Sequence, residues 1–328
     1  MTTPSTVPPD AIKVLAGERA AARAGREFAR ADALRAEIEA AGWRIVDQGT
    51  AYRLEPAAPP TIEAVGTVRY GSAAAVPSVL EMPATVALTV LLLADDRPDD
   101  LARMLRGLRA HAPAGTQVVI VANDPSPAQA AGLAPGSPDM DPLDGRVPEV
   151  LWTSARLGNA AALNAGLRRA GGAIVVLADT SVEPIGDALT PLLDALAQPD
   201  VAVAGAFGVI APDLRHFGET AGSEVDAIDG CWLAFRREEL HALGPLDEKF
   251  IFDRYLDIWW SLALRAGIDP DQPSRRARRL DLPLVRHERR DPAALSAAER
   301  DRQSRRNSYR VLERFRDRTD LLSGPPTR

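Results

Sequence analysis

Across 328 residues the sequence holds a single cysteine, Cys231. An intramolecular disulfide is thereby excluded, as is any metal site built from several thiolates. Long apolar runs are missing too. The longest, Val86 to Ala94, has about half the residues that a membrane-spanning helix requires, and its β-branched content suits a buried strand. Met1 to Pro9 is polar and Pro-rich with neither a basic start nor an apolar stretch, so no secretory leader and no transmembrane segment are expected. Positive charge is not in surplus. A formal net charge of −6 argues against a general nucleic-acid binder, because neutralising phosphates needs clustered cations. No internal repeat is visible. A cytoplasmic protein is the expectation these absences leave.

What is present is an ordinary globular balance, with 46% apolar and 26% charged residues. The length exceeds one compact domain and suits a mid-sized α/β domain with a smaller appendage. Residues 9–55 form the candidate appendage. Leu15, Ala22, Phe28, Ala29, Leu34 and Ile38 recur at helical spacing, which predicts two short helices joined near Gly25, the second closing at Gly42. Trp43 to Asp47 and Thr50 to Leu54 read as a strand pair. Residues 56–83, with Pro59-Pro60, a Gly-Ser-Ala-Ala-Ala run from 71 and Pro77, lack periodicity and read as a linker.

Residues 84–322 then alternate buried strands and helices. Strands are predicted at 86–93, 117–122, 150–153, 173–177 and 201–209, and helices at 98–110, 159–170 and 190–197. The Pro-, Gly- and Asp-rich stretch 125–147 reads as a mobile surface loop, and Ala298 to Arg318 as an amphipathic Arg-rich helix. This order implies an α/β fold, a mainly parallel sheet flanked by helices whose strand C-termini line the ligand crevice. Residues 94–97, 122–126 and 178–181 are the places to look for chemistry.

Asp95 and Asp96 close the first strand, facing either a pocket or solvent. Asp124 either meets a ligand or caps the turn before Pro125. The run Leu157-Gly158-Asn159-Ala160-Ala161-Ala162-Leu163-Asn164-Ala165-Gly166 places small residues along a helix that would approach either an anion or the sheet closely.

That run resembles the G…A.N.G helix of the inverting family-two glycosyltransferases, where it precedes the strand bearing a metal-binding Asp-x-Asp. Here Val175 to Pro184 occupies that place, with Ala178 at the first acidic position and Asp179 as the remaining acid. Asp229 to Arg237, followed by Leu246-Asp247-Glu248-Lys249-Phe250, is similar to the family's acceptor-side segment. Asp257 to Gly267 is similar to the helix that starts at its catalytic acidic motif, although the usual Glu-Asp pair is replaced around Tyr255-Leu256-Asp257. The resemblance covers about two hundred residues in order.

It implies a glycosyltransferase-A-like sheet, a nucleotide-sugar donor, and a sugar, lipid or protein acceptor. Asp96, Asp124, Asn159, Asn164, Asp179 and Arg286 become the candidate donor-binding residues. A divalent cation, Mg2+ or Mn2+, is the implied cofactor, held by Asp179 and by His287 of Arg286-His287-Glu288-Arg289-Arg290, where the imidazole is either a ligand or a satisfied ring. Arg286, Arg289 and Arg290 would meet phosphate oxygens through their planar forks. Asp257 is the candidate base, or else a carboxylate serving the helix dipole, with Asp253 in reserve. With fewer acids than usual, a catalytically altered nucleotide-sugar-binding protein is the alternative.

The front segment has its own resemblance. Glu18 to Arg23, Phe28 to Arg35, and Ala41-Gly42-Trp43 with Asp47 and Gly49 look like the C-terminal part of cysteinyl-tRNA synthetases. The synthetase's catalytic motifs are absent, so aminoacylation is not implied. Arg19, Arg23, Arg26, Arg30 and Arg35 either touch an RNA backbone, making residues 10–54 an RNA-associated accessory module, or form a solvated face with the interspersed acids.

Overall fold

The computed structural model describes residues 7–48, 51–64, 66–94, 96–211, 213–269, 272–287 and 296–322. In the front module, α1 (Asp10–Ala24) and α2 (Phe28–Ala40) form a hairpin that turns through Arg26 at φ 60°, and Gly42 at φ 79° ends the second helix. Strands β1 (Trp43–Gln48) and β2 (Ala51–Pro56) pair antiparallel, with Trp43 opposite Pro56. Ile12, Ala16, Ile38, Trp43 and Ile45 make a small core of their own, whereas Phe28, expected on the packed face, begins α2 and is exposed. So thin a core needs a second fastening. The buried Arg19 supplies it, donating to both carboxylate oxygens of Asp47 at 2.8 and 3.0 Å.

The larger unit is built on ten strands in the order β13-β16-β10-β15-β8-β5-β6-β7-β4-β3. In chain order they are β3 (Ile62–Ala64), β4 (Thr67–Tyr70), β5 (Val86–Ala94), β6 (Gln117–Ala122), β7 (Glu149–Thr153), β8 (Gly172–Ala178), β10 (Val201–Gly205), β13 (Glu224–Val225), β15 (Trp232–Arg236) and β16 (Arg276–Arg279). The central run β8-β5-β6-β7-β4 is parallel, while β15 runs antiparallel to both of its neighbours. Val90 and Leu92 of β5 face a layer that includes α3 (Pro98–His111) and α6 (Thr190–Leu196). Leu91 faces the opposite layer, with α5 (Asn159–Leu167) and α8 (Leu256–Ala266). Burial on both faces explains why the central strands are continuous apolar runs rather than alternating ones.

Helix α5 lies unusually close to the sheet. A Cβ at Gly166 would stand 2.1 Å from a methyl of Leu91 and 3.0 Å from one of Val121, so glycine is there for helix–sheet contact. The first N–H groups of α5 are also taken: Asn159 donates to the Ile251 carbonyl at 2.9 Å and Ala160 to that of Phe250 at 3.1 Å. Of the two alternatives for this helix, close approach to the sheet holds, and protein backbone stands where an anion would.

Three segments differ from their sequence reading. Residues 56–83 are not a plain linker: β4 lies parallel to β7, with Arg69 opposite Trp152, and β3 extends the sheet edge. These strands have no apolar run of their own to announce them, and β7, which joins them to the sheet, is remote in sequence. Residues 125–147 hold a short helix, α4 (Pro127–Gly132), and bury Leu133, Met140 and Leu143 against the α3 layer. Arg109 of α3 binds this segment by donating to the carbonyls of Pro138, Asp139 and Asp141. The strand expected over 201–209 divides at Ala206, so that β11 (Gly208–Ile210) joins β12 (Gly218–Thr220) and β14 (Ala227–Ile228) in a separate sheet.

A two-stranded pair, β9 (Val182–Pro184) with β17 (Leu284–Arg286), completes the rim near α3. Beyond β15, α7 (Glu239–Leu243) leads toward α8, and α9 (Ala297–Phe315) closes the chain. Ser296 caps α9 by accepting from the Glu299 N–H at 3.2 Å, and Asn307, Val311 and Phe315 are its buried positions. Among the described residues no helix is long and apolar enough to cross a membrane.

Gly166→Ala should lower stability by about 1–3 kcal/mol in urea denaturation despite alanine's better helix propensity, because overpacking outweighs it. An unchanged midpoint would contradict the close approach of α5. Asp47→Ala should weaken the front module by on the order of 1–2 kcal/mol, since it leaves the Arg19 guanidinium buried without its carboxylate. Loss of protection in β1 and β2 by amide hydrogen exchange is the readout.

Candidate functional site at the strand ends

Strands β8, β5 and β6 are neighbours, so the turns after them open on one edge of the sheet, spaced by about 5 Å per strand. Two of these turns need a left-handed backbone. Asp96 has φ 55° and Asp124 φ 53°, a region that aspartate tolerates better than most residues. Asp96 accepts a hydrogen bond from the Ser126 N–H, joining the two turns, and its other oxygen is 3.9 Å from Arg156. The Asp124 N–H donates to the Thr153 hydroxyl at 2.8 Å. Asn123, which the sequence reading passed over, clamps Leu157 by accepting from its N–H at 2.8 Å and donating to its carbonyl at 3.0 Å. Asp95 lies outside the described residues.

Asp179 follows β8 directly. Its N–H donates to the Cys231 carbonyl at 2.9 Å, and its Oδ1 accepts from both the N–H and the hydroxyl of Ser181. Ala178 ends the strand and packs into the α3-side core. The i, i+2 pair at this turn is Asp179 with Ser181, whose hydroxyl donates to the Asp179 carboxylate.

The short β9–β17 ladder carries the remote end of the chain to this turn. Arg286 pairs with Val182, which brings the His287 N–H to the Ser181 carbonyl at 2.8 Å. The His287 Nε2 lies 2.8 Å from Glu183 Oε2, and Arg103 of α3 stands 3.8 Å from the same oxygen. Glu183 was missed from sequence; its signal is position, the outward residue of a strand whose neighbours Val182 and Pro184 are buried. Arg286 pairs with Glu219 at 3.0 Å, stands 3.7 Å from Asp229 and lies over the Phe207 ring at 5.0 Å. Arg289 and Arg290 lie outside the described residues.

A third component meets the same turn. Asp229 Oδ1 accepts from the Cys231 N–H at 2.8 Å, and the Gly230 N–H donates to Asp257 Oδ2 at 2.9 Å. A Cβ on Gly230 would lie 3.2 Å from the Asp257 Cβ, so glycine allows this contact. Asp257 Oδ1 accepts from the Ile258 N–H at 2.9 Å in the first turn of α8, after Tyr255 at φ 71°. Removal from water, reinforced by the Asp229 carboxylate and opposed by these two N–H donors, pushes the Asp257 pKa up to about 7. Burial, together with the Asp229 charge, also pushes the Cys231 thiol up, so it stays protonated and is no nucleophile. Asp253, the reserve acid, is exposed and accepts from the Arg254 N–H.

Two candidates fall away from the crevice. Asn164 is buried and pairs with both backbone groups of Leu246, accepting at 3.0 Å and donating at 2.9 Å, with Glu248 as a further acceptor. It is a clamp between α5 and the 246–248 segment. Asn159 offers its backbone to Ile251, and its Oδ1 is buried without a hydrogen-bond partner. Among the described residues, no three His, Cys, Asp or Glu side chains form a group able to hold a metal ion by themselves. Asp179 and His287 nonetheless supply one hard oxygen donor and one imidazole, a set that fits a divalent cation once other oxygens complete its shell.

Residues 89–244 match the family model of glycosyl transferase family 2. The chain is similar to the structure of GalNAc-T7 with UDP, GalNAc and Mn2+, at 13% identity and a TM-score of 0.56, over 71% of this chain and 49% of that one. It is also similar to the mannosyltransferase PcManGT from Pyrobaculum calidifontis in complex with GDP-Man and Mn2+, at 20% identity and a TM-score of 0.50, over 75% and 72% of the two chains. At such identities the likeness is one of fold. At the N-terminus, 56 residues are 48% identical to a cysteine–tRNA ligase of Opitutus terrae, covering 17% of this chain but only 12% of that protein. Residues 89–244 are therefore similar to glycosyl transferase family 2 within a glycosyltransferase-A fold, preceded by a small module similar to part of a cysteine–tRNA ligase.

Proposed function

We propose that this protein transfers a hexosyl group from a nucleoside diphosphate sugar to an acceptor hydroxyl with inversion. One observation carries the reading. The peptide Asp229-Gly230-Cys231 holds Asp179 through the Cys231 carbonyl and Asp257 through the Gly230 N–H, so the candidate cation ligand and the candidate base are fastened to the same three residues. The UDP and GalNAc in one structural neighbour and the GDP-Man in the other support a nucleotide-sugar donor, and the Mn2+ in both supports a divalent cation.

In this reading the donor lies along the ends of β5, β6 and β8, with Asp96 and Asp124 toward the nucleoside. A cation held by Asp179 and His287 together with diphosphate oxygens would offset the charge of the leaving group. Arg286 adds a fixed cation beside it, kept in place by Glu219 and the Phe207 ring. The acceptor oxygen attacks the anomeric carbon from the face opposite the diphosphate. Its proton passes to Asp257, the bond to the diphosphate breaks, and the sugar inverts. A carboxylate with its pKa near 7 is suited to accept that proton at neutral pH.

A second reading, a nucleotide-sugar-binding protein without turnover, draws on Asp179 being engaged by the Ser181 hydroxyl and on His287 being engaged by Glu183. An RNA-associated role for residues 10–54 is disfavoured by local pairing: Arg19 and Arg23 are on Asp47, Arg30 is on Glu27, and Arg35 is on Glu39.

Thermal melts should rise on adding a nucleotide sugar, and rise further with Mn2+; flat curves across UDP, GDP and dTDP sugars would remove the donor site. Asp257→Asn should lower kcat by about 10²–10⁴-fold, whereas the non-catalytic reading expects no turnover in either protein. Wild-type kcat should climb as pH rises through about 7, because the base must lose its proton. Stability should run the other way. In the unfolded chain an aspartate ionises near 3.9, so between about pH 4 and 7 the folded chain retains a proton that the unfolded chain has released, and stability declines as pH rises across that window. Asp257→Asn should flatten this decline in urea melts and be the more stable protein at pH 8.

A further inference from the structure

Helix α9 carries a feature that the crevice does not use. Arg306, Arg310 and Arg314 recur every four residues, so their guanidinium groups stack along one face of the helix. Like charges at this spacing repel and weaken a helix unless something offsets them. The three arginines line a cleft of about 480 Å³ together with Lys249, Tyr309 and Trp259, and Asp247 and Glu313 are its acidic members. Four cations against two carboxylates leave a surplus of two positive charges. Asp247 lies 3.9 Å from Arg310 and also acts electrostatically on Arg314, while among the described residues no carboxylate comes within 4 Å of the charged nitrogens of Lys249, Arg306 or Arg314.

The cleft is also built rather than merely charged. Arg314 lies over the Trp259 ring at 4.5 Å and Arg310 over the Phe250 ring at 5.8 Å. Stacking fixes a guanidinium plane against an apolar face, so little side-chain freedom is left to lose when an anion arrives, and one Arg310 Nη1 hydrogen bond to the Arg306 carbonyl at 3.3 Å holds that fork further. Tyr309, 68% exposed, adds a hydroxyl at the rim. A neutral sugar would leave the surplus charge unmatched. A phosphate dianion matches it in magnitude and suits the planar forks.

We propose that the α9 groove binds a phosphate-bearing anion, a phosphomonoester or diphosphate group, at residues separate from those at the strand ends. The test is calorimetric titration of the full chain with tripolyphosphate in the absence of divalent cations. Saturable binding is expected, with affinity falling steeply as salt rises. Arg306→Glu, at an exposed position, should weaken it at least tenfold, and Arg314→Gln should do the same, with circular dichroism confirming that both variants fold. Arg286→Gln should leave the Arg306-dependent binding unchanged. The proposal is overturned if wild type shows no binding, or if Arg286→Gln abolishes binding that Arg306→Glu retains, since the anion then sits at the strand ends. Binding to phosphatidylglycerol vesicles without binding of tripolyphosphate would likewise overturn it in favour of a membrane-facing surface.

Discussion

The peptide Asp229-Gly230-Cys231 is the joint on which the site depends. Three backbone groups of this short turn are used: the Cys231 carbonyl takes the Asp179 N–H, the Gly230 N–H reaches Asp257, and the Cys231 N–H folds back on Asp229. The turn itself is positioned by β15, which lies antiparallel to β8 with Trp232 opposite Ala178. The end of one strand therefore meets the start of the other at the sheet's edge. Because the sheet is buried on both faces, its edge is where polar side chains can reach a ligand without stranding themselves in a core.

The same joint explains why Asp257 differs chemically from the other acids. Asp253, four residues earlier, is exposed, whereas Asp257 is pressed against Gly230 beside the Asp229 carboxylate. Two N–H donors hold its oxygens without cancelling the loss of water. Behind it, Asn307 of α9 donates to the carbonyls of Phe252 and Arg254, so the last helix braces the segment that leads into α8. The turns after β5, β6 and β8, the acid at α8 and the arginine face of α9 thus share one supporting framework. The front module differs in kind: its core is its own, and Arg19 with Asp47 does for it what burial does for the sheet.

How much could be read beforehand varied with the kind of signal. Val86 to Leu93 and Gln117 to Ala122 announce buried parallel strands because an apolar run of that length has few other uses. Asp179 was legible as an acid at a strand end. Its hydrogen-bond partner Ser181 and the neighbouring Glu183 were not, because neither stands out by residue type. Asn164 read as a ligand contact because its motif gives a spacing and not a direction. The structure turns it toward the backbone of Leu246.

The sequence by itself determined the class of fold and the helical hairpin of the front module, since apolar periodicity and turn residues act locally. Only the tertiary structure decided that residues 62–70 join the sheet edge, that His287 comes to the turn after β8 and is engaged there by Glu183, and that Asp257 has an unusual proton affinity. Each of these depends on pairing between segments far apart in the chain. Such pairing is set by which backbone edges and charges remain unsatisfied after the core has closed, and no local pattern records that.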